Sequence, residues 1–310
     1  MPEKTLKEKT AKGLMWGTIS NGAQLVLGTL FGIFLARILS PSDYGMVGLL
    51  TVFSQIASVL QDSGFRTALA NRREIVHEDY NAVFWFNVGT SCVMYLLLFF
   101  LAPLITEFYQ HSDAAANQDL SELTPLARFS FLGFVIASLG TAHYAYLFRT
   151  LQVKQKAIIT VISLTTSSTI GLTMALKGYA YWGLATQGIA FTTCNTILFW
   201  YFSKWRPTLP VSFHPLKEMF GFSSKLLAND ICNNINGNIL SVMLGRFYAV
   251  HDVGLYNQAN KWTSMVSTMV LGTIKDVAQP VLRNVETERE RHKRVFRKML
   301  RFNAFMVFPA

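Results

Sequence analysis

Long apolar runs, separated by short charged segments, leave this chain few folds to choose from. They fall at about 14–39, 44–61, 82–105, 125–148, 157–176, 182–202, 219–248 and 253–281. Several exceed the roughly 18–20 residues that carry a helix across a bilayer. Only 15% of the 310 residues are charged and 51% are hydrophobic, whereas a soluble domain carries about 25% charged residues. The expected fold class is all-α, a polytopic membrane helical bundle. The first run is too long for the apolar core of a signal peptide and reads as the first membrane helix. A ninth run begins near Phe302 and reaches Ala310. Nine residues cannot span a membrane as a helix, so the expectation is a C-terminally truncated version of a longer protein.

The second constraint is an internal repeat. Residues 35–45 read LARILSPSDYG and residues 244–254 read LGRFYAVHDVG. Leu35, Arg37, Asp43 and Gly45 recur as Leu244, Arg246, Asp252 and Gly254, without a gap. Both copies sit in a tight turn between two apolar runs. Arg37 can cap the last carbonyls of its helix and pair with Asp43, and Gly45 can permit close packing. The alternative is that Arg37 and Arg246 touch a substrate.

The basic balance, a net charge of +10 and a pI near 9.6, follows from topology rather than from nucleic acid. With the N-terminus in the cytoplasm, Lys and Arg concentrate on the cytoplasmic side. Lys4, Lys7, Lys9 and Lys12 lie in the lead-in; Arg66, Arg72, Arg73, Arg149, Lys154 and Lys156 in loops; Lys204, Arg206 and Lys217 in a Pro-punctuated linker. A charged segment, 283–301, adds more, whereas the outer ends hold Arg37, Arg128, Lys177 and Arg246. This is the positive-inside pattern. Six crossings, runs one to six, lie between the start of run one and the start of run seven, so both start inside. The repeat is then parallel, with its pseudo-twofold axis along the membrane normal. The expected organisation is a six-helix lobe over 1–203, a cytoplasmic linker over 204–217 and a partial second lobe over 218–310.

Signals for an enzyme are poor: no metal-type His/Cys/Asp spacing, no P-loop, no GxSxG and no HExxH. Cys92, Cys194 and Cys232 lie inside apolar runs and read as small buried hydrophobes. No cofactor and no metal is expected. The unusual run is the seventh, with Lys225, Asn229, Asp230, Asn233, Asn234, Asn236 and Asn238. On a wheel of about 100° per residue, Lys225, Asn229, Asn233 and Asn236 share one stripe about 80° wide, and Asp230, Asn234 and Asn238 form a second. Interhelical hydrogen bonds could account for a single Asn. The set together with Lys225 points to a wet cavity, because a charge at the centre of a membrane helix costs roughly 2.5–3.5 kcal/mol on insertion scales. Asn21, Gln24, Gln55, Gln258, Asn260 and Lys261, inside other runs, complete the candidate cleft.

In order along the chain, Lys12-Gly13-xx-Trp16, LARILSPSDYG, Asp62-Ser63-Gly64-Phe65, the NRREI run from Asn71, Phe84-Trp85-Phe86-Asn87 and Phe308-Pro309-Ala310 resemble one family. The whole chain is similar to the N-terminal two-thirds of a bacterial polysaccharide flippase of the multidrug/oligosaccharidyl-lipid/polysaccharide exporter superfamily. The lipopolysaccharide, O-antigen and colanic acid exporters are the nearest likeness. The family has 12 to 14 helices, and this chain has eight and a part. The resemblance implies a two-lobed carrier in the bacterial inner membrane that moves a polyprenyl-diphosphate-linked oligosaccharide between leaflets by alternating access. It implies a coupling ion, H+ or Na+, and a polysaccharide polymerase as partners. Cations would attract the diphosphate, and Asn and Gln would match sugar hydroxyls. Two other readings compete. A drug/cation antiporter of the same superfamily favours acidic, aromatic cavities, whereas the intramembrane charges here lean basic. A membrane-embedded glycosyltransferase or ligase wants a catalytic carboxylate or metal site on a sizeable loop.

Overall fold

The computed structural model describes residues 6–62, 65, 69, 75–110, 120–150, 152–209, 211–265, 293, 297 and 301. The lead-in lysines, residues 71–74 of the NRREI run, most of 62–65, most of 283–301 and all of 302–310 lie outside the described residues or side chains. The chain divides into two compact units, Met1–Leu255 and Tyr256–Ala310.

The first unit is built from α1 (Leu6–Ile38), α2 (Pro41–Asp62), α3 (His77–Gln110), α4 (Leu123–Arg149), α5 (Val153–Leu176), α6 (Ala180–Phe202) and α7 (His214–Phe247). An eighth helix, α8, starts at residue 250 and is described to 265, across the boundary of the units. Among the described residues, five helices are long and apolar enough to cross a membrane: α3, α4 and α5, and the stretches Ser20–Ile38 and Pro41–Leu60. In lipid, a helix is one of the two ways to satisfy every backbone group. α6 and α7 match these in length, but Thr, Asn and Gln dilute the first, and Asn, Lys and Asp the second.

Local chemistry sets the helix ends. Pro41 occupies the first turn of α2, where its missing N–H is no loss. Ser40 and Asp43 form a reciprocal cap: the Ser40 N–H and Oγ–H donate to Asp43 Oδ2 at 2.9 and 2.8 Å, and the Asp43 N–H donates to Ser40 Oγ at 3.3 Å. Asp79 does the same at the start of α3, accepting from the Val76 N–H at 2.9 Å. Asp43 is therefore turned to Ser40, and the expected Arg37–Asp43 pair does not form. Gly178, at φ +82, closes α5 in the left-handed conformation. There the Tyr179 N–H reaches Met174 O and the Gly178 N–H reaches Ala175 O, so α6 folds back tightly on α5.

α3 passes Pro103 and continues to Gln110, beyond the end of the third apolar run near residue 105. A proline inside a helix leaves the carbonyl four residues earlier without its donor. That carbonyl belongs to Phe99, and Arg128 of α4 supplies the missing hydrogen bond through Nε at 3.2 Å. The guanidinium also lies 4.2 Å from the centre of the Phe99 ring. Further along the α3–α4 seam, Ser91 Oγ donates to Ser138 Oγ at 2.9 Å, and the Thr106 and Thr124 hydroxyls meet at 2.7 Å.

Cys92 and Cys232 are exposed and Cys194 is half-buried. The expectation of buried cysteines fails because an apolar run in a membrane helix has no polar face to mark its outside. Large apolar side chains, Phe100 and Tyr201 among them, are likewise exposed, as helices meant for lipid require.

Candidate functional site

The repeat is visible in the helix boundaries. α1 ends at Ile38 and α2 starts at Pro41; α7 ends at Phe247 and α8 starts at residue 250. The turn hydrogen bonds match as well. The Leu39 N–H donates to Leu35 O at 2.9 Å, and the Tyr248 N–H to Leu244 O at 2.8 Å. The Asp43 N–H donates to Ser40 O at 3.1 Å, and the Asp252 N–H to Ala249 O at 2.9 Å. The side-chain cap does not carry over, because alanine replaces serine at 249; Asp252 Oδ1 lies 3.5 Å from His251 Nδ1 instead. The two turns touch each other: Gly45 lies against the Val250 backbone and Gly254 against that of Pro41. Arg37 is exposed, and Arg246 lies 5.5 Å from the Phe108 ring.

α7 packs on α2 and α3. Near its C-terminal end, Gly245 seats against Leu49 and Tyr109. Further back, Asn238 Nδ2 donates to Gln55 Oε1 of α2 at 2.7 Å. Toward the beginning of the helix, Lys225, Asn229, Asn233 and Asn236 are all exposed on their shared stripe. Of the second stripe, Asp230 is exposed, while Asn234 and Asn238 are half-buried and donate to the carbonyls of Asp230 and Asn234, each at 2.8 Å. The stripe with Lys225 thus has the less satisfied chemistry.

Of the other candidates, Asn21 is exposed on α1, and Gln24 is half-buried and bonded within its helix to Ser20. Gln55 is the one brought against α7. Gln258, Asn260 and Lys261 belong to the second compact unit, where Asn260 and Lys261 are exposed. Among the described residues no group of His, Cys, Asp and Glu could hold a metal ion.

Two features had no sequence signal. The linker 203–209 is stapled to the start of α3. Asn81, 3% exposed, donates through Nδ2 to Thr208 O at 2.8 Å and accepts from the Thr208 N–H at 2.9 Å. His77 Nε2 lies 2.9 Å from Thr208 Oγ1. Beside this staple, His143 is fully buried, its ring centre 4.5 Å from that of Trp200 and 5.0 Å from that of Trp205. Neither ring nitrogen of His143 has a partner among the described residues, nor has the side-chain amide of Asn87. A separate apolar crevice of about 370 Å³ lies between α3 and the residue before α7, lined by Trp85, Phe86, Gly89, Thr90, Val93 and Phe213.

The helices and their apolar outer surface define the class: a multi-pass helical membrane protein built on a repeated helix–turn–helix. The chain belongs to the polysaccharide biosynthesis protein family, whose sequence model matches residues 34–310. It is 29% identical to the lipopolysaccharide biosynthesis protein WzxC of Escherichia coli, over 99% of this chain and 61% of that protein. It is 25% identical to the succinoglycan biosynthesis transport protein ExoT of Rhizobium meliloti, over 98% and 60%. It is 23% identical to the teichuronic acid biosynthesis protein TuaB of Bacillus subtilis, over 98% and 62%. The chain therefore spans about three-fifths of the length of these relatives. In fold it is similar to a solved multidrug resistance transporter of the MATE family, MOP superfamily, in its inward-facing conformation. That likeness has a TM-score of 0.65 at 17% identity and covers 92% of this chain and 68% of the other.

Proposed function

We propose that this chain forms the first lobe and the start of the second lobe of a flippase. Its substrate is a polyprenyl-diphosphate-linked oligosaccharide, moved across the bacterial inner membrane by alternating access for surface polysaccharide biosynthesis. The family carries this reading, since its relatives bear the names of lipopolysaccharide, succinoglycan and teichuronic acid biosynthesis proteins. The exposed stripe of α7 supports it. Lys225 offers a cation for the diphosphate, and Asn229, Asn233 and Asn236 offer paired donors and acceptors for sugar hydroxyls. Lys261, Gln258 and Asn260 of α8, Gln55 of α2, and Asn21 and Gln24 of α1 are proposed to complete the cleft. The N-terminus is cytoplasmic in this scheme, so the two turns face outward and α7 begins inside. An H+ or Na+ gradient drives the cycle, and a polymerase receives the product.

The test is complementation. The complete gene should restore surface polysaccharide in cells lacking their own flippase. Failure to restore it, with the protein present in the membrane, would overturn the proposal.

A further inference from the structure

The apolar crevice on α3 begins as a notch in the helix surface. Trp85, Gly89 and Val93 follow one another at four-residue steps and form one ridge along α3. Phe86 and Thr90 form the ridge beside it. Glycine leaves the middle of the first ridge empty, since a Cβ added at Gly89 would meet nothing within 4 Å. Phe213, 54% exposed, overhangs the notch from the residue before α7. From Trp85 to Val93 the lining rises about 12 Å along the helix axis. The volume, about 370 Å³, falls within the roughly 300–1,000 Å³ that ligand sites occupy.

The two ends of the crevice differ in chemistry. Beyond Val93, α3 continues as an apolar run with Leu96, Leu97 and Phe100 exposed, a surface suited to lipid chains. At the other end the Trp85 Nε1–H donates to the Thr208 carbonyl at 3.4 Å. An indole with an apolar body and a satisfied polar edge is at home where chains meet headgroups. Positive charge gathers at this end. Phe213 is itself the N-cap of α7, a helix of 34 residues without a side-chain cap, so the positive end of the helix dipole opens beside the crevice. Lys217 follows Phe213 by one turn, Lys204 precedes Thr208 in the linker, and both are exposed. The acids of the first turn of α3, Glu78 and Asp79, lie about two turns before Trp85, and Asp79 is buried and accepts from the Val76 N–H.

We propose that this crevice holds one acyl chain of an anionic phospholipid, with its phosphate beside Lys204, Lys217 and the start of α7. The inference needs only that α3 crosses the membrane, and it stands apart from the substrate reading given above. A prenyl diphosphate shares the anionic head and apolar tail. No residue of the polar stripe lines the crevice, however, and Lys225 lies about 18 Å along α7 from Phe213. The surrounding bilayer, by contrast, presents phospholipid to this face continuously. The bound lipid extends the seam that Asn81 and Thr208 begin, fastening the linker and the start of α7 to α3.

The complete gene product in detergent is titrated with phosphatidylglycerol, or with phosphatidylcholine of the same chains. Retained lipid is counted by native mass spectrometry, and thermal unfolding is followed on the same samples. One phosphatidylglycerol should be retained at a concentration about tenfold below that needed for phosphatidylcholine. It should also raise the unfolding midpoint, as any ligand of the folded state does. Gly89→Phe fills the notch and should abolish both effects. Gly188→Phe, at a glycine of α6 with the same open space, should preserve them. Lys204→Gln together with Lys217→Gln should make the two lipids equal. Equal retention of the two lipids by the unaltered protein would overturn the proposal, as would undiminished retention of phosphatidylglycerol by Gly89→Phe. Should Gly89→Phe not fold, Phe213→Ala decides: it removes the overhang and should weaken retention severalfold, and unchanged retention would overturn the proposal. Displacement of the lipid by a polyprenyl diphosphate at lower concentration would assign the crevice to the substrate's tail and overturn the proposal as well.

Discussion

The contact between Arg128 and Phe99 makes a prediction that can be followed through a complete thermodynamic cycle. Pro103 has no N–H to donate to the Phe99 carbonyl, and Arg128 Nε donates to it instead at 3.2 Å, with the guanidinium 4.2 Å from the ring centre. Arg128→Met keeps an apolar stem but removes the donor and the cation. A hydrogen bond to a charged group is worth about 1.5–3 kcal/mol, and a half-exposed cation–π contact adds about 0.5–1 kcal/mol. The variant should lose about 2–4 kcal/mol. In a Pro103→Ala background, residue 103 has its own N–H and can satisfy Phe99, so the same substitution should cost only about 0.5–1 kcal/mol. The coupling energy of about 1.5–3 kcal/mol is read from unfolding of the four proteins in detergent, by denaturant or by heat. Additivity within about 0.5 kcal/mol would mean that the two sites are independent. It would refute the claim that Arg128 compensates for the proline.

Asn81→Ala removes two hydrogen bonds to the Thr208 backbone in a buried setting, and should lower unfolding stability by about 1–3 kcal/mol. His77→Ala, at an exposed contact, should change it by less than about 0.5 kcal/mol. His143→Phe replaces a ring whose nitrogens lack described partners with one that needs none, and should hold stability level or raise it by about 1 kcal/mol; a fall of that size in thermal unfolding would contradict the reading. Gly245→Val would push a side chain into Leu49 Cδ2, 2.5 Å from the new Cβ, and Tyr109 Cε1, 2.7 Å away. It should cost about 1–3 kcal/mol by overpacking, seen as a lower unfolding midpoint. Neutralising Lys225 and Lys261 together to Gln in the complete gene product should cut glycan export severalfold without changing the amount of protein in the membrane, and unchanged export would remove both from the site.

Patterns that act within a few residues were legible in the sequence. The helices stand close to the apolar runs, and the register of 35–45 against 244–254 predicts the second turn, whose backbone hydrogen bonds match those of the first. The wheel on α7 put Lys225, Asn229, Asn233 and Asn236 on one stripe, and all four are exposed. What escaped was chemistry between distant segments. Nothing near Pro103 announces that Arg128 will serve the orphaned carbonyl. Asn81 and Thr208 meet only after α3 and the linker have been placed, and the surroundings of His143 come from α3, α4, α6 and the linker. The cysteines escaped for another reason. In a soluble protein an apolar residue in an apolar run points inward, but a membrane helix turns apolar residues toward lipid and protein alike. Asp43 was read as the partner of Arg37, although Ser40 stood three residues away at the N-cap, a spacing that favours the reciprocal cap.

The central claim, movement of a lipid-linked oligosaccharide between leaflets, is tested most directly with the purified complete protein in sealed vesicles. A polyprenyl-diphosphate-linked oligosaccharide is placed in one leaflet and followed with an impermeant sugar-modifying reagent under an imposed H+ or Na+ gradient. The account predicts protein-dependent appearance of the glycan in the opposite leaflet, slowed by Lys225→Gln together with Lys261→Gln. Glycan that stays where it was placed, in vesicles that actively extrude a cationic dye, would contradict it.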